Sequence, residues 1–207
     1  MIVIVDYGMG NLGSIQNMLK KIGQAALITS DPQEIGRADR LILPGVGAFD
    51  HGITRLASLG LLDLLNELAL QRRIPVLGVC LGMQLLTRCS AEGQCPGLGW
   101  LDAETVRFNF PPEQSHLKIP HMGWNTVNFC RPATLTTGFE GETRFYFVHS
   151  YHLVCHDAAD VLATTTYGYD FASMVQRENI MGAQFHPEKS HRFGMRLLKN
   201  FVELPAC

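Results

Sequence analysis

Pro75-Val76-Leu77-Gly78-Val79-Cys80-Leu81-Gly82-Met83-Gln84 is the stretch on which the fold turns. Residues 75–79 form an apolar run without polar alternation, as expected of a strand covered on both faces, and the run breaks at once into a helix-compatible segment. Glycines stand two residues to either side of Cys80. They permit the close approach and strained dihedrals of a sharp strand-to-helix turn, which presents one side chain beside the backbone N–H groups of a helix start, where a developing oxyanion is received. A helix terminus alone contributes about 0.3–1 kcal/mol, less than the roughly 1.36 kcal/mol of one pKa unit, so a reactive thiolate requires a base nearby. Lacking one, Cys80 reads as a buried core cysteine.

The same strand-then-helix grammar extends outward. Residues 2–5 are apolar, followed by a Gly8, Gly10, Asn11 turn and a periodic segment over 12–22 that stops at Gly23. Residues 25–28 and 40–43 give two more short strands, the second closed by Pro44-Gly45. A long helical stretch then runs through Leu56, Leu59, Leu62, Leu65 and Leu68. Strands of this kind, each followed by a helix, predict an α/β fold: a mostly parallel central sheet with helices on both faces, binding ligands at the carboxyl ends of its strands. Beyond residue 100 come additional C-terminal strands (105–108, 144–148, 161–166, 173–176, 180–185) and a closing helix over 190–202. There is no repeat, low-complexity tract or linker, and 207 residues with 46% apolar content suit a single domain spanning 1–207.

Composition narrows the partners. Seventeen basic against nineteen acidic residues give a net charge of -2 without a dense Lys/Arg run, which argues against nucleic acid. The opening apolar residues meet Asp6 and carry no basic flank or cleavage pattern, so neither a signal peptide nor a membrane span is expected, and the chain reads as cytoplasmic. Six cysteines (Cys80, Cys89, Cys95, Cys130, Cys155, Cys207) contain no CxxC pair, as for reduced thiols. His51, His116, His152, His156 and His191 share no ligand spacing with them, and neither a metal nor a cofactor is expected.

Two further constellations supply what Cys80 needs. Gln184-Phe185-His186-Pro187-Glu188 follows an apolar strand; residues two apart in extended chain point the same way, so Glu188 can orient His186 while Pro187 stiffens the exit. Alone, the His186-Pro187-Glu188 tripeptide reads first as a surface turn. Cysteine, histidine and acid together make a triad for acyl transfer through a thioester. Leu43-Pro44-Gly45-Val46-Gly47-Ala48-Phe49 offers a glycine-rich turn whose Val46/Gly47 peptide can complete an oxyanion hole with the N–H of Leu81. A phosphate loop is the rival for that turn, but GxxxxGK[ST] is absent.

Taken together and in this order, the three pieces resemble the class I, or triad, glutamine amidotransferases. Segments 5–12, 44–49, 118–125, 146–151 and 184–190 look like the glutaminase subunit of imidazole glycerol phosphate synthase. The resemblance implies Cys80 as nucleophile, His186 as base and acid, and Glu188 as orienter. It implies glutamine held by Gly47, Gln84, Glu92, Ser150 and Tyr151, consistent with a zwitterion's need for an acid and for N–H donors. It also implies a separate barrel-shaped cyclase subunit that receives ammonia through a tunnel and makes imidazole glycerol phosphate and AICAR in histidine biosynthesis. Gly10, Asn11, Lys118, His121, Trp124, Asn125 and Lys189 match positions facing that partner.

Gly13-Ser14 stands where the histidine-pathway subunit carries a basic residue, which leaves another ammonia-accepting synthase, such as a sugar amidotransferase of surface polysaccharide synthesis, as an alternative. Two other readings stand beside it: a stand-alone cysteine hydrolase needing an open cleft and no partner, and a binding subunit without chemistry.

Overall fold

Residues 1–205 are described in a computed structural model; Cys207 lies outside them. The strand runs form because each alternates between two apolar layers. In β1 (Ile2–Val5), Val3 and Val5 enter one core while Ile2 and Ile4 enter the other. After α1 (Leu12–Lys21), β2 (Ala26–Thr29) and the short α2 (Pro32–Ile35), the same split recurs in β3 (Arg40–Gly45), with Leu41 and Leu43 opposite Ile42. It recurs again in β4 (Val76–Cys80), with Val76 opposite Leu77 and Val79. Each such side chain, fully buried, contributes about 1.5–3 kcal/mol.

The leucine-rich stretch between β3 and β4 departs from the single helix expected of it. It is α3 (Phe49–Ser58), α4 (Leu62–Asn66) and one wide turn over Glu67–Gln71. Gly60 makes the break: at φ +66° it adopts the left-handed conformation that ends a helix. Leu56, Leu61, Leu65 and Leu68 are buried on both sides of that break, so the apolar spacing survives although the helix does not.

The remaining elements are α5 (Leu81–Leu85), β5 (Cys89–Ser90), β6 (Ala103–Arg107), β7 (His121–Thr126), β8 (Asn128–Phe129), β9 (Arg144–His149), β10 (Tyr151–Cys155), β11 (Val161–Tyr167), β12 (Tyr169–Arg177), β13 (Ile180–Ala183) and α6 (His191–Val202). In the main sheet the strands run β2-β1-β3-β4-β13-β12-β10-β6-β5. Pairing is parallel from β2 to β13 and antiparallel from β13 through β12 and β10 to β6. The parallel half has flavodoxin-like order, which places a crevice at its carboxyl ends. There the turns after β1 and β3, the end of β4 and the exit of β13 converge. β7 and β9 form a separate antiparallel ribbon beside them.

Candidate active site

Cys80 ends β4 at φ +55°, ψ −110°, a conformation that costs a non-glycine residue about 1–3 kcal/mol and persists only where its surroundings enforce it. The enforcement is visible at the flanking glycines. A Cβ on Gly82 would fall 1.7 Å from the Leu43 carbonyl oxygen, and one on Gly78 would fall 2.7 Å from that of Gly82. The turn is therefore wedged against β3 as tightly as backbones can approach. The Cys80 thiol, 6% exposed, lies 3.9 Å from the Val148 carbonyl oxygen and receives the Gln184 side-chain amide at 3.7 Å.

Leaving β13, the chain carries His186 and Glu188 to the same place. Glu188 Oε1 accepts from His186 Nδ1 at 2.8 Å, with both side chains no more than 3% exposed. That bond directs Nδ1–H at the acid, and Nε2 is left without a hydrogen-bond partner. Burial opposes charge on the ring, but the Cys80 sulfur and the Glu188 carboxylate outweigh it and carry the His186 pKa up to about 9. Cys80 thus interacts with the imidazole while its sulfur is aimed at the Val148 carbonyl, and the direct thiol-to-Nε2 bond is unmade.

A cavity of about 310 Å³ opens over the sulfur. It is lined by Cys80 together with Val46, Gly47, Leu81, Gln84, Glu92, Ser150 and Tyr151, the residues assigned above to the oxyanion hole and to glutamine; the buried side chains of His186 and Glu188 are not part of the lining. Pro120, Val148 and His149 complete the wall. Gly47, at φ +116°, turns the loop after β3, and Tyr7 underneath donates to the Pro44 carbonyl at 2.5 Å. Gln84 is structural as much as lining: its amide donates to the Tyr151 carbonyl and to Gln184, both at 3.1 Å. Gln184, fully buried, is a residue the sequence reading passed over; only its place two residues before His186 pointed to it.

Behind Tyr151 runs a chain of imidazoles. The Tyr151 carbonyl can only accept, so His149 Nδ1–H donates to it at 2.7 Å; His149 Nε2 then accepts from His121 Nδ1 at 3.0 Å, and His121 Nε2 accepts from the Asn125 amide at 3.2 Å. Burial pushes His149 down to about 3 and His121 down to about 4, so both are neutral near pH 7.

The partner-facing set divides. Asn11, Lys118, Trp124 and Lys189 are exposed, while Gly10 and Asn125 are half-buried. His121 corrects the expectation of a surface residue: it is 3% exposed, because alternate residues of β7 point inward and its ring is spent on the ladder. The outward neighbour is Met122, at 61% exposure. Lys189 lies 5.7 Å over the Tyr146 ring, and His191 stacks on Trp124 at 5.6 Å. Of the other histidines, His152 is buried against Tyr169 and His156 pairs with Asp102. Burial lifts the Cys155 thiol to about 12, which disfavours its thiolate. Among the described residues no group of three His, Cys, Asp or Glu is arranged to hold a metal ion, and no helix is long and apolar enough to cross a membrane.

The comparisons with known proteins concern the chain as a whole. The family description "Glutamine amidotransferase class-I" matches residues 3–204. The imidazole glycerol phosphate synthase subunit HisH 2 of Methanococcus maripaludis is 53% identical over 203 residues, covering 98% of this chain and 99% of that one. The subunit of the same name from Pseudomonas aeruginosa is 50% identical over 204 residues, covering 99% and 100%. Among solved structures, a glutamine amidotransferase superposes with a TM-score of 0.76 at 20% identity over 99% of this chain and 98% of its own. PurLQS from Thermotoga maritima does so with 0.72 at 17%, over 97% and 96%; at those identities the likeness is one of fold.

Proposed function

Because the chain belongs to the class-I glutamine amidotransferases and aligns nearly end to end with imidazole glycerol phosphate synthase glutaminase subunits, we propose that it releases ammonia from glutamine through Cys80, His186 and Glu188. One observation carries the reading: the strained Cys80 turn opens into a cavity rimmed by Gly47, Leu81 and Glu92, with a buried His–Glu pair behind it.

The thiol proton of Cys80 rests on His186, whose pKa lies at about 9; the thiolate attacks the side-chain amide carbon and the imidazolium gives that proton to the departing nitrogen, so ammonia leaves and a glutamyl thioester remains. Water, deprotonated by the same imidazole, then yields glutamate and the free thiol. Glu188 holds Nδ1–H and stabilises the imidazolium. N–H groups of Leu81 and of the Val46/Gly47 peptide receive the oxyanion of both tetrahedral intermediates, where one lost donor costs on the order of 100-fold or more. Glu92 takes the substrate ammonium, and Gln84, Ser150 and Tyr151 shape the wall.

Free ammonia is lost to solvent, so the product passes to a docked acceptor, in this reading the cyclase of histidine biosynthesis. The exposed Met122, Trp124 and Lys189 beside the cavity support a docking face there. A second acceptor, a sugar-amidating synthase, is favoured by one feature: Gly13, exposed at the start of α1, carries no side chain where the resemblance leads one to expect a basic residue.

Glutamate release by the purified chain, alone and with a histidine-pathway cyclase plus its nucleotide ligand, separates these. Strong stimulation abolished by Cys80→Ala is the expected result. Cys80-dependent release without stimulation points to the other acceptor. Release that survives Cys80→Ala overturns the triad.

A further inference from the structure

Glu92 sits in a polar, glycine-containing loop, Ser90-Ala91-Glu92-Gly93-Gln94-Cys95, in which only the half-buried Cys95 packs against the core. Yet the carboxylate has to stay at the cavity rim. Two carboxylates tie the loop to α3 in opposite directions. Glu92 Oε2 accepts from the Phe49 backbone N–H at 2.9 Å, at the first residue of that helix. From the helix, Asp50 Oδ1 accepts from the backbone N–H groups of Gln94 at 3.0 Å and Cys95 at 2.9 Å, while Oδ2 accepts from Gln94 at 2.9 Å.

The fit at Gly93 is close: a Cβ there would fall 1.9 Å from Asp50 Oδ1, so only glycine lets the carboxylate lie against the loop. The Glu92 N–H closes the turn on Ser90 Oγ at 3.1 Å. Among the described residues nothing donates to Glu92 Oε1, which leaves that oxygen for the cavity. The Gln94 and Cys95 N–H bonds hold the Asp50 pKa below the ordinary carboxylate range, as expected of an ionised clamp.

We propose that Asp50 is a positioning residue for substrate recognition: by clamping the 93–95 segment to α3 it holds Glu92 where the free oxygen meets the ammonium of glutamine. This rests on the reading of Glu92 as the ammonium acceptor. It also ties that acceptor to Phe49, the residue that directly follows the Val46–Ala48 turn, so the two ends of the substrate are referred to one rigid element.

The test is steady-state glutaminase kinetics on variants of the full chain. Asp50→Ala is expected to raise KM for glutamine about tenfold, the weight of one charge-assisted contact, with kcat within about twofold. Asp50→Asn, which keeps an acceptor at Oδ1, restores most of it. Gly93→Ala, which displaces the carboxylate from the other side, reproduces the defect and serves should Asp50→Ala fold poorly. The decisive probe is 4-carbamoylbutanoate, the same amide without the ammonium, as a competitive inhibitor: its Ki should be the same for parent and Asp50→Ala. An equal rise in Ki, or an unchanged glutamine KM, overturns the proposal. Glu92→Gln separates it from its premise. If Glu92→Gln leaves KM unchanged, the ammonium reading itself fails. If Glu92→Gln raises KM and Asp50→Ala does not, only the clamp fails.

Discussion

At Cys80 the proposed chemistry and the strain are one feature. A cysteine at φ +55° survives because the backbone at Gly78 and Gly82 admits no side chain, so relaxing the turn and filling it are both blocked. Gly82→Ala should therefore destabilise by about 3 kcal/mol, the upper range for overpacking, and lower activity beyond what the folded fraction explains; urea unfolding alongside glutamate release would show both. His186 sets the pH response. Its pKa, raised to about 9 by Cys80 and Glu188 against burial, gives an alkaline limb near pH 9, where the imidazole can no longer protonate the leaving nitrogen. Glu188→Gln keeps an acceptor for Nδ1–H but removes the charge. The expected outcome in a pH–rate profile is kcat lower by about 100-fold and the alkaline limb moved toward neutrality.

Among the elements, β7 and β10 show what pattern reading overlooks. The strands of the parallel half were legible because Ile2–Val5, Arg40–Gly45 and Val76–Cys80 bury apolar side chains on both faces. The inward residues of β7 are His121, Gly123 and Asn125, and two of them are held by the hydrogen-bonded ladder to Tyr151 rather than by apolar contact. A strand buried through polar satisfaction carries no apolar alternation to read.

That ladder has its own pH signature. His149 and His121 are lowered in the fold from 6.5 to about 3 and about 4, so the unfolded chain binds more protons below 6.5. Their contribution is complete above pH 6.5 and declines as pH falls toward 4 and 3. Thermal unfolding between pH 7 and 4 should show a falling Tm; His149→Gln should lower Tm at pH 7 and flatten the slope.

For the whole molecule, the parallel half ends where the antiparallel half begins, at the β4–β13–β12 boundary, and the active groups gather on that side. The turns after β1 and β3 and the exits of β4 and β13 are far apart in sequence but adjacent at the strand ends. The exposed Met122 and Trp124 lie on the ribbon next to them. Trp124→Ala is expected to weaken stimulation by the acceptor subunit severalfold while leaving basal, unpartnered glutamate release within about twofold, as titration with that subunit would reveal.

By itself the sequence determined the α/β class, the elbow at Cys80, the His186–Glu188 pairing and the glycine turn after β3, because each is written in residues adjacent along the chain, where backbone sterics and strand periodicity act. Tertiary structure alone decided that Glu92 is fixed by α3, that Gln184 touches the sulfur, that His121 points inward to His149, and that the leucine stretch breaks at Gly60. The first three depend on contacts between elements 28 to 104 residues apart, as from His121 to His149 and from Cys80 to Gln184, where register and packing, not local preference, select the partner. Gly60 is the exception: its spacing is local, but only the packing of Leu56 and Leu61 into one core shows that a turn, and not a continuous helix, buries both.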